Sequence, residues 1–180
     1  MNKGDLLTLL VNFSSILDPV LTLVVIISTI WGVVIVAQAL MNAYAISLNN
    51  GRTSATVSGI IWSLFIGGVL VTPIFTVQLF GNTLLDVSVN GSGLLYQGVG
   101  LTDTQKQAVQ ALFGVFSVAG FIAFIRGWTT LNKHFNGVIK DGVGMGMTFI
   151  IGGTLLIYLD VLIDMVSAKI GFDFTKVLSF

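Results

Sequence analysis

The run PVLTLVVIISTIWGVVIVAQALMNAY, residues 19–44, decides the class of protein: it is 26 residues long and carries no charged side chain. A helix rises 1.5 Å per residue, so about 20 apolar residues cross a bilayer core. Three further runs read the same way: Ala55–Phe80, Gln107–Trp128 and Gly142–Val161. The last has 18 uncharged residues between Asp141 and Asp160, so it spans only with an aspartate at one or both interfaces. The sequence therefore predicts an all-α integral membrane protein. It reads as a single membrane domain, residues 1–180, with four transmembrane helices at about 19–44, 55–80, 105–128 and 142–165 arranged as two helical hairpins.

Composition agrees. Of 180 residues, 54% are hydrophobic and 9% charged, with a mean hydropathy of +0.97. Soluble domains are about a quarter charged, so this chain has too little polar surface to solvate a globule of its size. The net charge is zero, which leaves no basic patch for nucleic acid. Cysteine is absent, which excludes disulfides, thiolate metal sites and thiol nucleophiles, and all eight acidic residues are aspartates. An Ala37-Gln38-Ala39 triplet follows the first run, but cleavage there would need an unusually long leader, so the run reads as retained.

Residues 4–17 alternate differently. Leu6, Leu9, Leu10, Phe13, Ile16 and Leu17 follow helical spacing, with Asp5, Thr8, Asn12 and Ser15 opposite. This pattern predicts a short amphipathic helix that either lies in the interface plane or docks on a partner subunit. Asp18-Pro19 reads as a cap and first helical residue that start span one. Pro73 predicts a kink within span two. The long loop 81–101 has two short apolar stretches, Leu84–Val89 and Leu94–Val99, around Asn90-Gly91, a hairpin pattern, and ends in a capping box at Thr102–Gln105. Short connections are read at Ser47–Arg52, between spans one and two, and at Thr129–Asp141. Four cations lie near span ends on the side of the two short loops against two on the other, which predicts cytoplasmic short loops and periplasmic termini in a bacterial inner membrane.

An internal echo is present. Gly32 precedes Gln38 by six residues, as Gly120 precedes Arg126, and Gly67-Gly68 matches Gly152-Gly153, at offsets of 88 and 85. Such an echo would relate two hairpins by an axis along the membrane normal.

The residues that could carry chemistry are few. Arg126 interrupts the end of the third run, beside Gly127-Trp128, where an arginine snorkels to headgroups and a tryptophan sits at the interface. This pair reads as an interfacial or lipid anchor, with a partner-subunit contact as the functional alternative. Asp160 and Asp164 share a helical face at the other end of the bundle, roughly 30 Å from Arg126 by helical rise. Lys106 is their candidate ion-pair partner, and a proton or cation path is the alternative. His134 is the sole histidine, with no ligand partners at metal-site spacing, and reads as a solvated loop residue. The strongest constellation is packing. Gly59, Ser63 and Gly67 recur every four residues, as do Ala119, Ala123 and Gly127. Small residues so spaced let helix backbones approach in lipid, within one chain or between subunits. No catalytic, cofactor or metal residue is assigned.

Gly120-Phe121-Ile122-Ala123-Phe124-Ile125-Arg126-Gly127-Trp128, then Lys133-His134, then a final span with Gly152-Gly153 and Tyr158, resembles the small multi-pass inner-membrane subunits of type IVB secretion and conjugation machines. They are similar to the IcmC/DotE proteins of Dot/Icm systems and to TraQ of conjugative plasmids. Pro73 has no counterpart in that pattern. The resemblance implies a non-enzymatic structural subunit of the inner-membrane part of a transfer apparatus, assembled with other small membrane subunits. Two other classes stand beside it: a holin-like or small channel-forming homo-oligomer, and an ion- or proton-coupled transport subunit using Asp160 and Asp164.

Overall fold

The computed structural model describes residues 3–48, 56–85 and 103–170, and among them every element is helical. There are six helices: α1 (Lys3–Ser47), α2 (Val57–Val71), α3 (Pro73–Leu85), α4 (Asp103–Phe135), α5 (Gly142–Ile157) and α6 (Leu159–Ile170). Two segments are long and apolar enough to cross a membrane, Pro19–Ser47 of α1 and Ala111–Phe135 of α4. The bent pair α2 and α3 makes a third if it is counted as one span. Helix α5, at 16 residues, rises only about 24 Å.

Several expectations change. The amphipathic N-terminal segment is not a separate helix, because α1 runs unbroken through Pro19. A proline removes one backbone donor and crowds the preceding turn, a local loss that a long helix can absorb in an apolar setting. In contrast, Pro73 does more than kink its span. It begins α3 at 94° to α2. The residue before a proline is pushed out of the helical region, and Thr72 duly sits at φ −119, ψ 57.

The break leaves the carbonyls of Val69, Leu70 and Val71 without their usual donors, which is costly away from water, while Gly68 keeps its own in the Thr72 N–H. Side chains supply them. The Thr76 hydroxyl donates to Val69 at 3.4 Å, and the Thr72 hydroxyl adds to its own N–H at Gly68 (3.2 and 3.3 Å). Ser28 and Thr29 of α1 reach across to the carbonyls of Leu70 (3.1 Å) and Val71 (3.4 Å). The bend is thus built from hydroxyls on two helices.

Span three does not end at Trp128. Helix α4 continues to Phe135 and closes on Gly137, whose φ of 75 is the left-handed conformation glycine adopts without strain. Gly137 N–H donates to the His134 carbonyl (2.9 Å) and Val138 N–H to that of Lys133 (2.8 Å), a Schellman closure. His134 is therefore a helix-end residue, with Nδ1 3.0 Å from the Ile139 carbonyl oxygen, and not a solvated loop residue. Leu84 and Leu85 end α3, so they are not strand residues. The rest of the expected hairpin, Thr102 of the capping box, residues 49–52 of the first short connection and the tail residues Phe172, Phe174 and Phe180 lie outside the described residues.

Packing is antiparallel between α1 and α2 and between α4 and α5. Gly32 of α1 meets the backbone of α2 at Gly67, and Gly120 and Gly127 of α4 meet α5 at Gly153 and Gly146, seven residues forward against seven back. Helices α1 and α4 run parallel, since Leu17 touches Gly114 near one end and α2 begins beside the end of α4, where Gly59 abuts the Phe135 carbonyl.

The echo recurs in three dimensions. Gly32 against the Gly67 carbonyl and Val71 nitrogen becomes Gly120 against the Gly153 carbonyl and Ile157 nitrogen. Thr29 donating to Val71 becomes Ser117 donating to Ile157 at 3.2 Å. Helices α1 and α4 end at equivalent positions, and α2 and α5 break at equivalent positions, Thr72 and Tyr158. The matching offsets are 88 and 86, so Gly67 corresponds to Gly153 and not to Gly152. The halves are also not level. Leu17 meets Gly114, 97 residues on, which slides the second half about 13 Å along the helices. A rotation about an axis along the helices would not produce that shift, so the simple axis read from the sequence does not describe the pair.

The core is built around α4. Phe121, Phe124, Trp128 and Leu131 pack against Ile66 and Leu70 of α2, Ile150 and Ile157 of α5, and Val77 of α3. Only 17% of the most apolar stretch of α1 is buried, and Ile26, Ile30, Ile61, Phe65, Phe75 and Ile122 are exposed on the outside. An apolar exterior of this extent suits lipid rather than water.

Candidate assembly site

Neither small-residue stripe packs as a single seam. On α2, Gly67 lies against α1 at Gly32 and Val36, whereas Gly59 and Ser63 face α4. Ser63 donates to Asn132 Oδ1 at 2.7 Å and accepts from Asn136 Nδ2 at 2.8 Å, and Asn136 also donates to the Asn132 carbonyl at 2.8 Å. Beside this network Trp62 stacks on Phe135, with centroids 4.3 Å apart and planes 5° from parallel. These contacts carry α4 past the point where its hydropathy falls. On α4, Gly127 is buried against α5, Ala123 is half-buried and Ala119 is exposed. The closest backbone approaches, each 2.7 Å from where a Cβ would stand, are at Gly32, Gly120, Gly127 and Gly153; the stripe pattern contained only Gly127, and the echo contained the other three.

Arg126 and Trp128 separate. Trp128 is 6% exposed and lies inside the core, edge-on to Phe65, Phe80 and Phe124 at centroid distances of 6.0, 5.9 and 6.2 Å. It is not an interfacial anchor, because the helix continues two turns beyond it and α2 and α3 cover it. Its indole N–H has no hydrogen-bond partner.

Arg126 points outward and is exposed. The candidate span of α4 by length and composition is Ala111–Phe135, and Arg126 lies three residues, about 4.5 Å, beyond its middle residue, Ala123. Its guanidinium stacks 5.0 Å from the Phe149 ring, and Phe149 is at the middle of α5. Two helices thus place this charge at mid-height of the bundle. The expected position at a helix end is corrected by the extra turns from Thr129 to Phe135.

Asp160 is half-buried in the first turn of α6, where the helix dipole favours a carboxylate. The side chains of Lys106 and Asp164 lie outside the described residues, and with them the expected ion pair. No protein family, curated protein or solved structure matches this chain.

Proposed function

We propose that this chain is a structural, non-enzymatic subunit of the inner-membrane part of a type IVB secretion or conjugative transfer apparatus. In this reading it crosses the membrane four times as two hairpins, with the short connections cytoplasmic and both termini periplasmic. The observation that carries it is Arg126, a charge exposed at mid-height of a bundle otherwise locked by glycine and hydroxyl contacts. Fixed packing suits a scaffold, and an outward charge at that depth suits assembly, since a charged group inside a membrane is retained where something meets it. The segment that resembles the secretion subunits, Gly120–Trp128, supports the reading further. It is the spine of the fold, touching α5 through Gly120 and Gly127 and presenting Arg126 between them.

The test is affinity purification of the full chain from its own membranes in mild detergent, with identification of what accompanies it by mass spectrometry. The proposal expects envelope-spanning transfer components in fixed ratio. Recovery of the chain alone, as a homo-oligomer that conducts ions in vesicles, would sink it in favour of a channel.

A further inference from the structure

Among the described residues no carboxylate meets Arg126. No acidic residue falls within Pro19–Ser47, 56–85, Ala111–Phe135 or Gly142–Ile157. The nearest described aspartates along the bundle are Asp141, eight residues or about 12 Å before Phe149, and Asp160. The latter lies beyond Ile157, which packs level with Gly120, itself about 9 Å from Arg126 along α4. A second copy in the same orientation carries its aspartates at the same depths, so it leaves the same gap. Helix α4 extends nine further residues, about 13.5 Å, beyond Arg126 before it ends.

The neighbouring surface is open. Ala119 is exposed and Ala123 half-buried on the α4 turns before Arg126, and Gly152, one turn beyond Phe149 on α5, is exposed with nothing within 4 Å of where a side chain would begin. A helix can therefore approach closely beside the guanidinium, whose N–H donors form a planar fork that matches a carboxylate.

We propose that the outer face of α4 and α5 around Arg126 docks a transmembrane helix of a different protein that carries an aspartate or glutamate at mid-bilayer depth. This rests on the reading of the chain as a membrane assembly subunit. It does not depend on which apparatus is assembled.

The test uses the full chain in phosphatidylcholine vesicles. Because the chain has no cysteine, one cysteine placed at the exposed loop residue Val138 takes a donor dye. The probes are acceptor-labelled Leu/Ala transmembrane peptides with Asp, Asn or Leu at their centre, and energy transfer reads association. The Asp peptide is expected to bind on the order of tenfold more tightly than the Leu peptide. The Arg126→Leu chain should lose that preference, and Arg126→Asp should transfer it to a Lys-centred peptide. Circular dichroism of each variant checks that it folds, and Arg126→Lys should keep part of the preference. Equal binding of Asp and Leu peptides to the wild-type chain overturns the proposal. So does Arg126-dependent self-association without peptide, which would put a second copy on this face, or loss of the preference on adding phosphatidylglycerol, which would assign the arginine to lipid. Purification of the chain without transfer components would refute the apparatus and leave this result standing.

Discussion

Gly152 and Gly153 are neighbours in sequence, yet alanine at each should act in opposite directions. A Cβ at Gly153 would lie 2.7 Å from both the Gly120 carbonyl oxygen and the Phe124 nitrogen, and 3.1 Å from Phe124 Cα. All three are backbone atoms, so no rotamer change can relieve them. Restoring the 3.4 Å limit of ordinary contact means parting α4 and α5 by about 0.7 Å. A gap of that size forfeits a quarter to a half of each neighbouring dispersion contact. It also strains the Ser117 hydroxyl bond to Ile157, one turn away. Overpacking of this kind costs about 1–3 kcal/mol, and the better helix propensity of alanine returns up to about 1. Gly153→Ala should therefore lose about 1–2 kcal/mol. At Gly152 an added Cβ meets nothing within 4 Å, so Gly152→Ala should be neutral or gain up to about 1 kcal/mol. Gly32→Ala, against the Gly67 carbonyl at 2.7 Å and the Val71 nitrogen at 2.8 Å, should behave like Gly153→Ala. Equilibrium unfolding in mixed dodecyl maltoside and SDS micelles, followed by ellipticity, measures all three. Equal effects at Gly152 and Gly153 would refute the packing described here.

Three further substitutions probe other parts of the fold in the same assay. Ser63→Ala removes one donor and one acceptor from the α2–α4 network and should cost about 1–2 kcal/mol; a neutral result would mean the network does not hold α4 against α2. Trp128→Phe deletes an unpartnered buried N–H while keeping an aromatic ring, so its loss should be under about 1.5 kcal/mol, against about 3–5 for Trp128→Ala. Gly137→Ala places a Cβ at φ 75 and should cost about 1–2 kcal/mol, read together with faster amide exchange at Val138.

The apolar runs showed the long helices because lipid demands them, and Pro73 marked the true break in the second. Hydropathy misplaced the end of α4. It ranks side chains by their preference for water, and Asn132, Lys133 and His134 look like loop residues by that measure. In the fold Asn132 and Asn136 satisfy Ser63, and the helix-stop signal is instead Gly137 after a basic last turn. That error placed Arg126 at the end of its helix, whereas α4 continues nine residues beyond it. Trp128 was misread with it, since sequence cannot show that α3 folds back to cover the indole. The repeat was legible as an echo of glycines, but its register was not. Adjacent glycines are equivalent in a string and about 100° apart on a helix, so only contact distinguishes the packed Gly153 from the open Gly152.

The central claim is that the face bearing Arg126 lies at the middle of a bilayer. Ile122, one turn before it, is 51% exposed and on the same outer surface. A nitroxide on Ile122→Cys, the sole thiol in a cysteine-free chain, reports its depth in vesicles through the ratio of relaxation by oxygen and by a water-soluble nickel chelate. The account predicts strong relaxation by oxygen and little by nickel, with a depth within a few ångströms of the bilayer centre. Strong relaxation by nickel would place this face in water or at the headgroups and contradict it.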